Sequence, residues 1–154
     1  MGARGWIAGF AVLAAVLVAG CGDDKQKAKD AFVSKADAVC KRVAADNPRP
    51  KGQAGQAKAI RATSAANKRA SGEERGLKSP KAPKELQRDF DTYKRDTHQM
   101  QQLAVVGQAA AIDGQQGLYS QALKDYKVKS THRAAAAKRI GFRVCGKKQQ
   151  VGAS

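Results

Sequence analysis

The chain has 154 residues, with 29 Lys and Arg against 13 Asp and Glu and a formal charge of +16. That length suits one domain, but Leu, Ile, Val and Phe beyond residue 20 number only 19 of 134, a share near the border of disorder for so charged a chain. A large apolar core is excluded, and two histidines and three cysteines offer no set of three or four ligands at zinc-site spacing.

In chain order, the first feature is an uncharged apolar run, Trp6 to Ala19, preceded by Arg4. As a helix, fourteen residues reach about 21 Å, short of the roughly 30 Å hydrocarbon core of a bilayer, so the run reads as the core of a secretory signal. It ends in Val18-Ala19-Gly20-Cys21. This resembles the lipobox of bacterial lipoprotein precursors. The resemblance implies diacylglycerol in thioether linkage on Cys21, cleavage after Gly20, and a protein held by lipid on the outer face of the cell membrane. Loss of residues 1–20 removes one arginine and no acid, so the formal charge of the remainder is +15.

With Cys21 lipidated, Cys40 and Cys145 remain, in a compartment that permits disulfides. The expected pairing is Cys40–Cys145, the alternative being two buried free thiols. No CxxC brings two sulfurs together for redox work.

Gly22 to Lys29 is polar and reads as a tether. Phe32, Ala36, Val39, Cys40 and Val43 then recur at helical spacing, and Asp46-Asn-Pro-Arg-Pro50 ends that helix, because proline cannot continue the hydrogen-bond ladder. Residues from about 53 to 69 are rich in alanine and form a second helix, loosely docked because Ile60 is its one large apolar residue. Ser71 to Pro83 reads as a basic loop punctuated by proline.

Pro83 and Glu85 suit a helix start. From there Leu86, Phe90, Tyr93, Thr97, Met100 and Ala104 mark one face of a third helix reaching about Ile112. Asp113-Gly114 is a turn signal. A fourth helix, about Gln115 to Ile140, aligns Tyr119, Leu123, Tyr126, Ser130, Ala134, Ala137 and Ile140. Gly141 stops it, and Phe142 to Cys145 lies back along the first helix.

The expected fold is all-α, an antiparallel bundle of about four helices stapled by one disulfide. The expected organisation is a signal over 1–20, a lipidated tether over 21–30, a helical domain over 31–146 and a flexible tail over 147–154. The cysteine within Ala36-Asp-Ala-Val-Cys40, the Pro-x-x-Pro before Glu85-Leu86 and the closing Gly141-Phe-Arg-Val-Cys-Gly146 are similar to small helical lipoproteins of high-GC Gram-positive bacteria, a group that brings no catalytic residues.

No catalytic constellation emerges. His98 and His132 lack the HExxH spacing that places two imidazoles on one helical face. Asp89, Asp91 and Asp96 lie among Arg88, Lys94 and Arg95 and read as solvated ion pairs. No cofactor motif is present. Tyr93, Tyr119 and Tyr126 read as core, with a ligand pocket inside the bundle, lined by them and Met100, as the alternative.

Charge is what remains. Lys124, Lys127, Lys129, Arg133, Lys138, Arg139 and Arg143 form, with Lys147 and Lys148, a basic block containing one acid, and a second block runs from Arg49 to Arg88. Such fields attract polyanions. On a tethered protein these are anionic lipid headgroups or cell-wall polymers. Nucleic acid is disfavoured because the aromatic stacking platforms that single strands need are not interleaved with the basic residues. The expectation is a non-enzymatic, lipid-anchored helical protein that acts through basic surfaces, the alternative being a ligand-binding or sensory lipoprotein.

Overall fold

The computed structural model describes residues 21–48, 50 and 55–147. The expected signal, the tail beyond Lys147 and the side chain of Cys21 lie outside the described residues. Four helices account for most of the chain: α1 (Cys21–Asp46), α2 (Gly55–Gly76), α3 (Gln87–Ile112), which follows a 3-10 turn over Lys84–Leu86, and α4 (Gln116–Ile140). No strand occurs among the described residues, and no helix there is long and apolar enough to cross a membrane.

The connections make the bundle antiparallel throughout. The α1–α2 pairing is set where Val39 and Val43 of α1 seat on Gly76 and Gly72 of α2. The α2–α3 pairing runs from Gln56, whose amide donates to the Ala111 carbonyl oxygen at 2.7 Å, to Glu73 beside Tyr93. Along α3–α4 the pairing runs from Gly107 beside Ala122 to Asp89 beside Arg139. α3 is the central helix, packed on both α2 and α4.

Two cores result. The larger gathers Phe32, Leu77, Leu86, Phe90, Tyr93, Ile140 and Phe142 around the cysteines. Its rings meet edge to face, Phe32 on Phe90 at 4.9 Å and Tyr93 on Phe142 at 5.4 Å between centroids, a geometry that adds about 0.5–1.5 kcal/mol per pair beyond burial. The smaller, built from Ala66, Met100, Ala104 and Tyr126, lies beyond the reach of α1. Only α2, α3 and α4 meet there, and two alanines let Met100 and Tyr126 pack between them.

α4 ends in a Schellman turn. Gly141, at φ 96°, donates to the Lys138 carbonyl oxygen and Phe142 donates to that of Ala137 at 2.9 Å, which satisfies the last carbonyls and reverses the chain. The closing segment then runs along α1. The Asp37 carboxylate accepts from the backbone N–H of Arg143, Val144 and Cys145 at 2.8–2.9 Å. Cys145 is thereby set beside Cys40, and the two form a disulfide with Cα atoms 5.2 Å apart.

Three sequence expectations need correction. The polar segment read as a tether is the start of α1: Asp23 and Asp24 occupy its first turn, where the helix dipole favours acids. Ser71 to Gly76 is the last part of α2 rather than a loop. Each interior glycine costs about 1 kcal/mol in a helix, but a side chain at Gly76 would collide with Val39, so the glycines are what let α1 approach. α2 is also firmly docked, burying Thr63, Ala66, Ala70 and Glu73.

The disulfide closes a loop across a sequence separation of 105, a constraint worth about 4.7 kcal/mol in the chain-entropy model. Urea unfolding of the oxidised and reduced proteins should show the reduced form losing a third or more of its stability, with α1 releasing first by hydrogen exchange.

Candidate functional site

The basic residues named from sequence differ in how far they reach solvent. Lys124, Lys127 and Lys138 are exposed at spacings that return to one side of α4. Arg139 is exposed but engaged, its Nε donating to Asp89 at 2.8 Å. Arg143 is exposed and Lys129 half-buried. Lys148 lies outside the described residues.

Arg133 is a correction. It is 2% exposed and cannot meet a polyanion. Its position three residues after Ser130 and four before Ala137 places it on the inner stripe of α4, where a long basic side chain persists only with a buried partner. That partner is Glu73, 4% exposed, which pairs with Arg133 Nη1. Tyr93 completes the cluster. Its hydroxyl accepts from Arg133 at 3.2 Å, and it has two acceptors within donating distance, Glu73 Oε2 at 3.0 Å and the Cys145 carbonyl oxygen at 3.2 Å. The guanidinium also lies over the Tyr93 ring, 5.2 Å from its centroid. Burial pushes the Tyr93 phenol far above its ordinary pKa, outweighing the pull of the Arg133 charge, and Glu73 adds to the rise. Burial pulls Arg133 down, but Tyr93, Glu73 and Tyr126 more than offset this and hold it raised.

The other candidates are dispersed. His98 Nδ1 is 3.4 Å from Glu74, and both His98 and His132 are exposed side chains on the outside of their helices. Asp91 is held below its ordinary pKa by hydrogen bonds from Lys94 and Gln87 and lies in the open. Asp96 is buried, with Oδ1 4.0 Å from Arg95 Nε. No three His, Cys, Asp or Glu side chains converge on a metal position among the described residues.

Tyr93, Tyr126 and Met100 are core. Tyr119 instead lines a half-open cleft of about 600 Å³ at the far tip, with Leu123, Ala59, Ala62, Ala110 and Ala111. The reading of the three tyrosines as core therefore holds for Tyr93 and Tyr126 and is corrected for Tyr119, which is half-buried at the tip cleft.

The buried cluster generates two predictions. Glu73→Ala leaves the Arg133 charge unpaired and should cost about 3–5 kcal/mol, whereas Glu73→Leu combined with Arg133→Met should recover most of that loss, as read from urea midpoints. For Tyr93, an unfolded tyrosine releases its proton near pH 10 while the folded one keeps it. Stability from this group is full below pH 10 and falls by about 1.4 kcal/mol per pH unit above it. Urea titrations in that range should show a shallower decline for Tyr93→Phe than for the parent protein.

Compared with known proteins, the chain matches no family model, no curated protein and no solved structure.

Proposed function

We propose that the chain is an exported helical module, tethered to the outer face of a bacterial membrane by lipid on Cys21, that works through its charged surface rather than by catalysis. The disulfide between Cys40 and Cys145 carries the reading, because structural disulfides belong to oxidising compartments. Two sources support it independently: the lipobox-like Val18-Ala19-Gly20-Cys21, and the exposed lysines and arginines that remain once Arg133 is set aside.

A second reading, a small-ligand-binding lipoprotein, has the tip cleft in its favour. About 600 Å³ beside Tyr119 and Leu123 falls within the range of small-molecule sites. The cleft is half open, and among its polar side chains the Gln56 amide is already engaged by the Ala111 and Ile112 carbonyl oxygens, which ranks this reading second.

Intact-mass measurement of the native protein from membranes, without reductant, tests the proposal. The expected mass lacks residues 1–20, includes a diacylglycerol on Cys21, and is two hydrogens short for the disulfide. An unprocessed chain with three titratable thiols would overturn it.

A further inference from the structure

The two basic blocks are far apart in sequence, yet the antiparallel topology brings much of both to one end of the bundle. α2 ends there at Gly76 and α4 ends there at Ile140, while α3 starts there at Gln87. The connecting loop contributes Lys78 and Lys81, the approach to α3 contributes Lys84 and Arg88, α4 contributes Lys138, and the closing segment contributes Arg143. All six are exposed. No ion pair among the described residues engages any of them. The opposite tip is different in character. Around the cleft it carries Lys58, Arg61 and Asp113, and its exposed side chains include the apolar Ile112 and Leu118.

Fold stability does not account for this basic end. Lys84 and Arg88 sit at the start of a helix, where the dipole disfavours cations. Bulk solubility does not account for it either, since that needs no concentration of charge at one pole.

The same end is where α1 leaves the bundle toward Cys21. From Asp23 to Ala31 only Lys29 is even half-buried, and Phe32 is the first buried side chain. A groove of about 640 Å³ between α1 and the loop places Lys35 and Lys81 on its walls. At 1.5 Å per residue, Cys21 and Phe32 are about 16 Å apart along the helix axis. The interfacial layer of a leaflet takes up about 5–7 Å, and charges act over a Debye length of about 8 Å. A leaning α1 therefore brings the basic end within reach of headgroup phosphates on the membrane that holds Cys21.

We infer that this basic end is a docking surface for anionic phospholipid headgroups, so that the bundle rests end-on against its own membrane with the tip cleft facing away. The inference rests on the anchored reading above and names its partner. Lysines and arginines near an anionic bilayer contribute about 1 kcal/mol each, or about fivefold in affinity per residue.

The test uses the oxidised chain from Gly22 on, which carries every packed element of the fold. It is sedimented with vesicles of neutral phosphatidylcholine, or with vesicles in which one third of the lipid is phosphatidylglycerol. Binding should require the anionic lipid and vanish at about 1 M salt, where the Debye length falls to about 3 Å. The variant K81E/K84E/R88E/K138E should lose more than tenfold in affinity. The variant R61E/K68E/K124E/K127E, with the same change in net charge away from that end, should lose less than threefold. K84E/R88E alone should melt at or above the parent temperature, because acids suit the start of α3, while still binding more weakly. Should the quadruple variant unfold, Lys81→Gln with Lys138→Gln should give the same ranking.

Equal losses in the two quadruple variants, no preference for anionic vesicles, or retention on poly(glycerol phosphate) but not on vesicles would each overturn the inference. Its failure is separable from that of the anchored reading. Unequal losses with no lipid on native Cys21 would keep the docking surface and remove the anchor. Lipid on Cys21 with equal losses would do the reverse.

Discussion

The union of the first helix with the last turn of chain is the constraint on which the architecture depends. α1 shares a modest interface with α2, and its large apolar contribution is Phe32 and Val43, both buried, with Val33 and Val39 partly buried. Each such side chain is worth about 1.5–3 kcal/mol when fully buried, and four of them do not offset the cost of ordering 26 residues, about 1–2 kcal/mol apiece. What holds α1 is the closing segment, fixed to it by three amide hydrogen bonds to Asp37 and by the sulfur bridge. Gly141 makes this possible, since its left-handed backbone turns the chain back at the point where Phe142 can enter the aromatic cluster.

A second device compensates for the scarcity of large apolar residues. The centre of the bundle is spanned by an ion pair and a phenol, which join α2, α3 and α4 at one level and contact the closing segment through the Cys145 carbonyl. Such a cluster adds little net stability over an apolar replacement. It does define register, because only one alignment of three helices brings Glu73, Tyr93 and Arg133 together.

How far these features were legible depended on whether the signal was local. The stripe Leu86, Phe90, Tyr93, Thr97, Met100 and Ala104 predicted its own burial, and all six are buried. The disulfide followed from counting cysteines once Cys21 was assigned elsewhere. Ser71 to Gly76 was not legible, because serine and glycine favour turns locally and the reason for glycine there is a neighbouring helix. Arg133 was misjudged by residue type despite its periodic position, since its partner lay in a segment expected to be a loop. Residues 21–30 lack apolar periodicity, so nothing distinguished a free-standing helical arm from a tether. The clustering of basic residues at one end is a property of topology and has no signature in either block alone.

The crosslink also determines how the molecule responds to mechanical load. Any pull entering through the N-terminal end passes along α1, whose opening turns touch little else. Peeling could proceed turn by turn past Phe32 and Ala36, but at Cys40 it meets a covalent bond to the segment that caps α4. Beyond that point the load passes through the bridge into the closing segment, so α1 can no longer be stripped away alone and the chain between the two cysteines does not extend in series with it.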